Sequence, residues 1–119
     1  MSNRANVIRE IVSQVRDRVG GFPILAKVNC DDFVTGGIDR AGFPGLAKEL
    51  ENAGIDALEV SGGMWDCLAR SEAELGFYPM PIPEARTRID SAAKQSYFTP
   101  YAEQLDLGIP SYSWAGTVT

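Results

Sequence analysis

The chain contains no histidine, which excludes Ser-His and Cys-His catalysis within it and leaves other groups to carry any chemistry. Lys27 stands out, because it interrupts the apolar run Phe22-Pro23-Ile24-Leu25-Ala26-Lys27-Val28-Asn29. A buried ammonium needs a counter-charge or a ligand. Glu59, inside a second run, Ile55-Asp56-Ala57-Leu58-Glu59-Val60-Ser61, is placed to supply the counter-charge. Two readings stay open: a structural Lys27–Glu59 pair without chemistry, and a cation turned toward a ligand. Burial cost favours the second.

The other polar residues are weaker candidates. Asp31 and Asp32 are neighbours, so they cannot form a catalytic pair on one face of a strand; they read as loop carboxylates that accept main-chain N–H groups. Gly36-Gly37 and Gly62-Gly63 complete neither a GxGxxG nor a P-loop pattern, and chain turning explains them. Cys30 and Cys67 are isolated, without CxxC spacing, so neither a metal site nor a disulfide framework is expected. Trp65, Phe77 and Tyr78 fit the mouth of a substrate site and ordinary loop packing equally well.

The elements that must hold Lys27 and Glu59 follow from periodicity. Val7, Ile8, Ile11, Val12, Val15 and Val19 recur at helical spacing and predict a helix over Asn3 to Val19, stopped by Gly20-Gly21. The two apolar runs are short and unbroken, as strands of a doubly covered parallel sheet are. Between them, Asp39 is an N-cap candidate for a helix that ends at Ala53 and Gly54. From Met64 to about Ser91 no period is visible, and Pro79 to Glu84 carries three prolines. A helix is expected over Ala92 to Leu107, started or kinked by Pro100, with a further strand allowed in the tail.

Strands that alternate with helices imply βαβ units and a parallel sheet. Two strands leave much of that sheet uncovered, so the chain reads as α/β, a partial (β/α)8 TIM barrel made of central-to-late βα units. Alternation places Ile24, Ala26 and Val28 toward the helices. Leu25, Lys27 and Asn29 point into the barrel, as do Ala57, Glu59 and Ser61 of the next strand. Lys27 and Asn29 then lie toward the C-terminal end, where such barrels keep their active sites.

Composition narrows the classes further. The 119 residues are 45% hydrophobic and 23% charged, with 11 basic against 16 acidic residues and a net charge of −5. Scattered basic residues argue against a nucleic-acid or anionic-membrane partner. No signal peptide and no apolar run near the roughly 20 residues of a membrane span are visible, so a cytoplasmic protein is expected.

The ordered pieces resemble the old yellow enzyme family, the NADH:flavin oxidoreductases. They are Asn3-Arg4, Ile11-Val12, Val15-Arg16, Val19-Gly20, Phe22 through Asn29, Asp32-Phe33, Gly36-Gly37, Leu50 through Gly54 and Asp56 through Gly63. Tyr97-Phe98 and Pro100-Tyr101-Ala102 resemble the family's next helix, and the likeness spans roughly residues 2 to 110. It implies an FMN-binding barrel that passes hydride from NAD(P)H to flavin and on to an activated alkene or similar small-molecule acceptor. A basic residue at the position of Lys27 lies by the flavin N1 and C2 carbonyl in such enzymes, so Lys27 is the one cofactor contact implied. The family's substrate-anchoring pair and tyrosine acid lie upstream of Met1, and its iron–sulfur cysteines have no counterpart. The resemblance therefore implies a fragment that is inactive alone, with no catalytic residue of its own.

Residues 111–119 depart from the family pattern. After Ile109-Pro110 the family would continue with something like Val-Ile-Leu-Val-Gly-Gly, where this chain has Ser111-Tyr112-Ser113-Trp114-Ala115-Gly116. One set of codons for that peptide, GTC ATA CTC GTG GGC GG, read one base later, spells Ser-Tyr-Ser-Trp-Ala and leaves a G, the first base of a glycine codon. A one-base frameshift is therefore the expectation for 111–119, against a barrel segment over 1–110. Two other functions compete: a noncatalytic protein that pairs with a partner or a second copy through open barrel edges, and an aldolase-like barrel with Lys27 as a Schiff-base lysine.

Overall fold

The computed structural model describes residues 2–34, 36–63, 92 and 95–113. Helix α1 covers Ser2–Val19, with Arg16 and Arg18 in its last turn, where cations suit the negative end of the helix dipole. Gly20 ends it at φ 59°, a left-handed conformation that a side chain would strain. Strand β1 follows as Leu25–Asn29.

Helix α2, Phe43–Ala53, starts later than the capping signal at Asp39 suggests. Asp39 caps a turn instead: its Oδ1 accepts the Gly42 N–H at 2.8 Å, and its carbonyl accepts the Phe43 N–H. Pro44 occupies the first helical turn, where the missing N–H costs nothing. Gly54, at φ 101°, closes the helix with its N–H turned back to Leu50 and Glu51 carbonyls.

Strand β2, Ala57–Ser61, lies parallel to β1, in register Leu25 to Ala57 through Asn29 to Ser61. The expected helix over Ala92 to Leu107 is much shorter. Among the described residues of that stretch, the α-helical ones are α3, Thr99–Ala102, with Pro100 in its first turn, and residues 95–98 form turns ahead of it. Thr99 N–H bonds back to Ser96, so the turn ahead of the helix is closed before Pro100 starts it. The allowed tail strand is present as β3, Ser111–Tyr112, parallel to β2. The described sheet has three parallel strands in chain order, β1-β2-β3.

One face of the sheet is covered. Leu58 and Val60 are fully buried and join Val12 of α1, Phe43, Ala47 and Leu50 of α2, and Cys30, Phe33, Ile55 and Phe98 in a single core. Phe43, Ala47 and Leu50 recur at helical spacing on one face of α2, which explains their joint burial. The residues that alternate with Leu58 and Val60, namely Ala57, Glu59 and Ser61, remain partly exposed. The fold is α/β with a small parallel sheet covered on its helix side.

Candidate functional site

Lys27 and Glu59 are register partners on neighbouring parallel strands, so they stand side by side on the sheet face away from the core. Lys27 Nζ lies 2.8 Å from Glu59 Oε1. The Lys27 side chain is 62% exposed and that of Glu59 21%, so the pair sits at the boundary with water. The cost of burying an ammonium, which favoured a ligand on sequence grounds, does not arise here. An ion pair this exposed contributes about 0–1 kcal/mol to stability. Its ammonium stays accessible from the uncovered side. Asn29 and Ser61 follow on the same face toward the C-terminal end of the sheet, and Tyr112 lies beside Glu59 in register.

The C-terminal end of the sheet is closed by Asp31 and Asp32, both of which act as the loop carboxylates expected. Asp31, buried, accepts the Phe33 N–H on Oδ1 at 2.8 Å and the Tyr101 hydroxyl on Oδ2 at 3.2 Å. Its carbonyl accepts the Gly63 N–H, which extends the ladder past both strands. Asp32 Oδ2 accepts the Ile38 N–H at 2.8 Å, while Asn29 Nδ2 donates to Asp32 Oδ1 at 2.8 Å and to the Gly63 carbonyl at 3.2 Å. The loop is thereby pinned to the ends of β1 and β2. Gly62 has no room for a side chain: a Cβ there would lie 2.6 Å from the Phe98 ring.

Tyr101 was not a candidate on sequence grounds, because its partner Asp31 is 70 residues away and no local pattern marks the pair. Burial and the Asp31 carboxylate push its phenol up to about 12, so it remains a hydrogen-bond donor. The Arg40 guanidinium stacks on its ring, 5.3 Å from the centroid. Cys30 is fully buried, and desolvation pushes its thiol up to about 12. A thiol so held is no nucleophile at neutral pH.

The N-terminal end of the sheet is tied by Arg16, another residue without a local signal. Its guanidinium donates to the carbonyls of Gly20, Phe22 and Gly54, and to Asp56 Oδ2 at 2.6 Å. Asp56 Oδ2 also accepts the Ile24 N–H at 2.7 Å. That N–H, and then the guanidinium, hold the Asp56 carboxyl below its ordinary range. This end joins both helix ends to both strand starts.

Elsewhere, a groove of about 790 Å³ between α1 and α2 is lined by Asn6, Arg9, Glu10, Ser13, Glu49 and Asn52. It lies among the helices, across the sheet from Lys27. Among the described residues no group of three or more His, Cys, Asp or Glu is placed to hold a metal, and no helix is long and apolar enough to cross a membrane. Trp65, Cys67, Phe77 and Tyr78 lie outside the described residues.

No family model matches the chain, and no solved structure matches it. Curated relatives do. The chain is 34% identical over 61 residues to an NADPH dehydrogenase of Bacillus licheniformis, covering 51% of this chain and 18% of that protein. An NADPH dehydrogenase of Halalkalibacterium halodurans is 30% identical over 88 residues, 71% of this chain and 24% of its own. An NADH oxidase of Thermoanaerobacter brockii is 35% identical over 60 residues, 50% of this chain and 9% of its own. The chain thus spans a quarter or less of the length of the relatives it matches. Over at least half of its length, it is a homologue of NADPH dehydrogenases and an NADH oxidase, the old yellow enzyme family.

Proposed function

We propose that the chain carries neighbouring strands of an FMN-binding (β/α)8 barrel of an NAD(P)H oxidoreductase, with Lys27 as a flavin contact, and that it does not turn over alone. The supporting observation is the position of Lys27: on the uncovered face of a parallel strand, its ammonium accessible, in a chain related to NADPH dehydrogenases. A cation fixed there suits the negative charge of a reduced flavin ring. On this reading the partners are a nicotinamide and a small acceptor such as an activated alkene, and the protein works in the cytoplasm without nucleic acid or membrane.

The described residues do not complete a flavin site. FMN needs an anion cradle for its phosphate as well as a cation at the ring. The N–H of Gly63 at the end of β2, a natural candidate, is already given to the Asp31 carbonyl. Lys27 is also partly neutralised by Glu59. No hydride step is therefore assigned to this chain.

The purified chain is expected to come without flavin, and added FMN should oxidise NADPH no faster than free FMN does. Stoichiometric bound flavin would overturn the view that the chain is inactive alone. The role of Lys27 is tested by placing residues 2–63 in the matching stretch of the Bacillus licheniformis enzyme. Lys27→Met should then weaken FMN retention about tenfold or more, the worth of one charge-assisted hydrogen bond; unchanged retention would remove Lys27 from the site.

The frameshift reading of residues 111–119 belongs to the same proposal. It is supported by Ser113, whose hydroxyl oxygen is buried without a hydrogen-bond partner, as a serine placed without regard to packing would be. Reading the DNA past the Gly108 codon tests it: a neighbouring frame that encodes an aliphatic strand and Gly-Gly supports it, and no such frame overturns it.

A further inference from the structure

Backbone strain gathers at the C-terminal end of the sheet. Among the described residues, two that are not glycine adopt a left-handed backbone, Phe33 at φ 54° and Ser96 at φ 53°. For a bulky side chain such as Phe33 this conformation is costly, and it persists only where the surroundings enforce it. The two residues are far apart in sequence, yet they flank one contact. On the strand side, Phe33 follows Asp31, the one buried polar side chain among the described residues. On the helix side, the carbonyl of Ser96 accepts the Thr99 N–H, and the turn it closes leads the chain through Phe98 into α3. The Phe98 ring fills the space beside Gly62, and the Tyr101 hydroxyl donates to Asp31 Oδ2 at 3.2 Å. The helix side has little else to hold it. α3 is four residues long with none of them buried, and Leu105 and Leu107 beyond it are partly buried. Gln104 Nε2 donates to the Arg40 carbonyl at 3.2 Å, and the Arg40 guanidinium stacks on Tyr101, so Arg40 belongs to the same contact.

Asp31 couples the two sides. Its Oδ1 accepts the Phe33 N–H at 2.8 Å, its Oδ2 the Tyr101 hydroxyl, and its main-chain carbonyl the Gly63 N–H at 2.8 Å. One residue thus joins the end of β1, the end of β2 and α3. With both oxygens engaged, the carboxyl is held in one orientation. Without the Tyr101 hydroxyl, Oδ2 loses its partner among the described residues, and a buried carboxyl left so turns out to water. That turn also gives up the Phe33 N–H, the bond that keeps Phe33 left-handed. We propose that the Asp31–Tyr101 contact is a latch, a conformational device that holds the C-terminal end of the sheet shut against the strain in Phe33 and Ser96. When it lets go, that end opens while the rest of the fold stays in place. Opening presents the Asp31 carboxyl and the ends of β1 and β2 to solvent, at the end of the strands where barrels bind their ligands. The opposite end, tied by Arg16 to Gly54 and Asp56, takes no part in the motion. The latch uses neither Lys27 nor the flavin reading.

Native-state hydrogen exchange on the full-length chain reads the latch, with Tyr101→Phe removing the hydroxyl and keeping the ring. The Phe33 and Gly63 amides should exchange at least about tenfold faster in the variant, the size expected for a hydrogen bond to a charged group. The Asp56 amide, bonded to the Ile24 carbonyl at the other end of the sheet, should change by less than about twofold. Ser96→Gly should act in the opposite sense. It should slow the Phe33 and Gly63 amides about threefold or more, because glycine takes the left-handed conformation without strain. Equal acceleration at both ends in Tyr101→Phe would make the bond an ordinary contribution to global stability and overturn the proposal. Phe33 and Gly63 amides indifferent to Tyr101→Phe would overturn it too, as would exchange in Ser96→Gly that is unchanged or faster. Absence of protection at these amides in the unaltered chain would mean that the contact is not closed in solution, and would overturn it equally.

Discussion

The two faces of the sheet are built on different principles. On the covered face, Leu58 and Val60 meet Phe43, Ala47 and Leu50 with no polar side chain between them, and burial is complete. On the other, Lys27 and Glu59 hold each other at 2.8 Å while the lysine remains mostly in water. The first face carries the folding free energy, and the second is left accessible for chemistry. A residue can therefore be changed on the second face at little cost to the fold, which is the condition a ligand-facing position has to meet.

This contrast can be broken most forcefully from the covered side. Phe43→Ala removes a fully buried ring from the centre of the core, and should lower the unfolding free energy by about 3–5 kcal/mol in a denaturant titration. A loss below about 1 kcal/mol would mean that the core lies elsewhere. Gly62→Ala tests where the covered side reaches the strand ends. The added methyl meets the Phe98 ring at 2.6 Å, and a loss of about 1–3 kcal/mol is expected, together with a disturbed signal from the Tyr101 region.

Acid should act on the carboxyls of Asp56, at the start of β2, and Glu51, in the last turn of α2. The carboxyls of Asp56 and Glu51 are both held below their ordinary values. The Ile24 N–H and then Arg16 hold Asp56, while Lys48 and then the Gly108 N–H hold Glu51. A folded-state value below the unfolded one means that the native state keeps these groups ionised. Their contribution is then present above the unfolded carboxylate range and lost as pH falls through the lower, folded values. Thermal midpoints should decline in that acid window, and Asp56→Asn should flatten the decline. Next in size is Ser113→Ala, which removes a buried hydroxyl that has no partner. It should raise stability by about 1 kcal/mol, measured by the same denaturant titration, whereas a loss would show that the hydroxyl is satisfied.

Much of this arrangement is legible in the chain itself, because its signals are local. The spacing of Val12 from Ile8, the stops at Gly20 and Gly54, and the alternation of Leu58 and Val60 with Glu59 each need only a few consecutive residues. The Lys27–Glu59 pairing could be read as well, since parallel neighbours connected by one helix place like-numbered steps side by side. What escaped depends on distant partners. Arg16 reaches Gly54 and Asp56, about 40 residues on, and Tyr101 reaches Asp31 across 70; neither has a spacing that marks it. Of the helix expected over Ala92 to Leu107, the described residues keep Thr99–Ala102, while the apolar Leu105 and Leu107 pack on the core from outside any helix or strand. The exposure of Lys27 was also beyond reach, since an apolar run looks the same whether one of its faces is covered or both are.

The smallest effect is the most telling. Lys27→Met removes the ammonium and leaves the strand, so the account expects the unfolding free energy to change by less than about 1 kcal/mol. The measurement is a denaturant titration of Lys27→Met beside the unaltered chain. A change within that bound means that Lys27 is spare to the fold and available to a ligand. A loss of about 3 kcal/mol or more, the cost of breaking a buried pair, would make Lys27 and Glu59 a structural bridge and contradict the division of the sheet into a holding face and an open one.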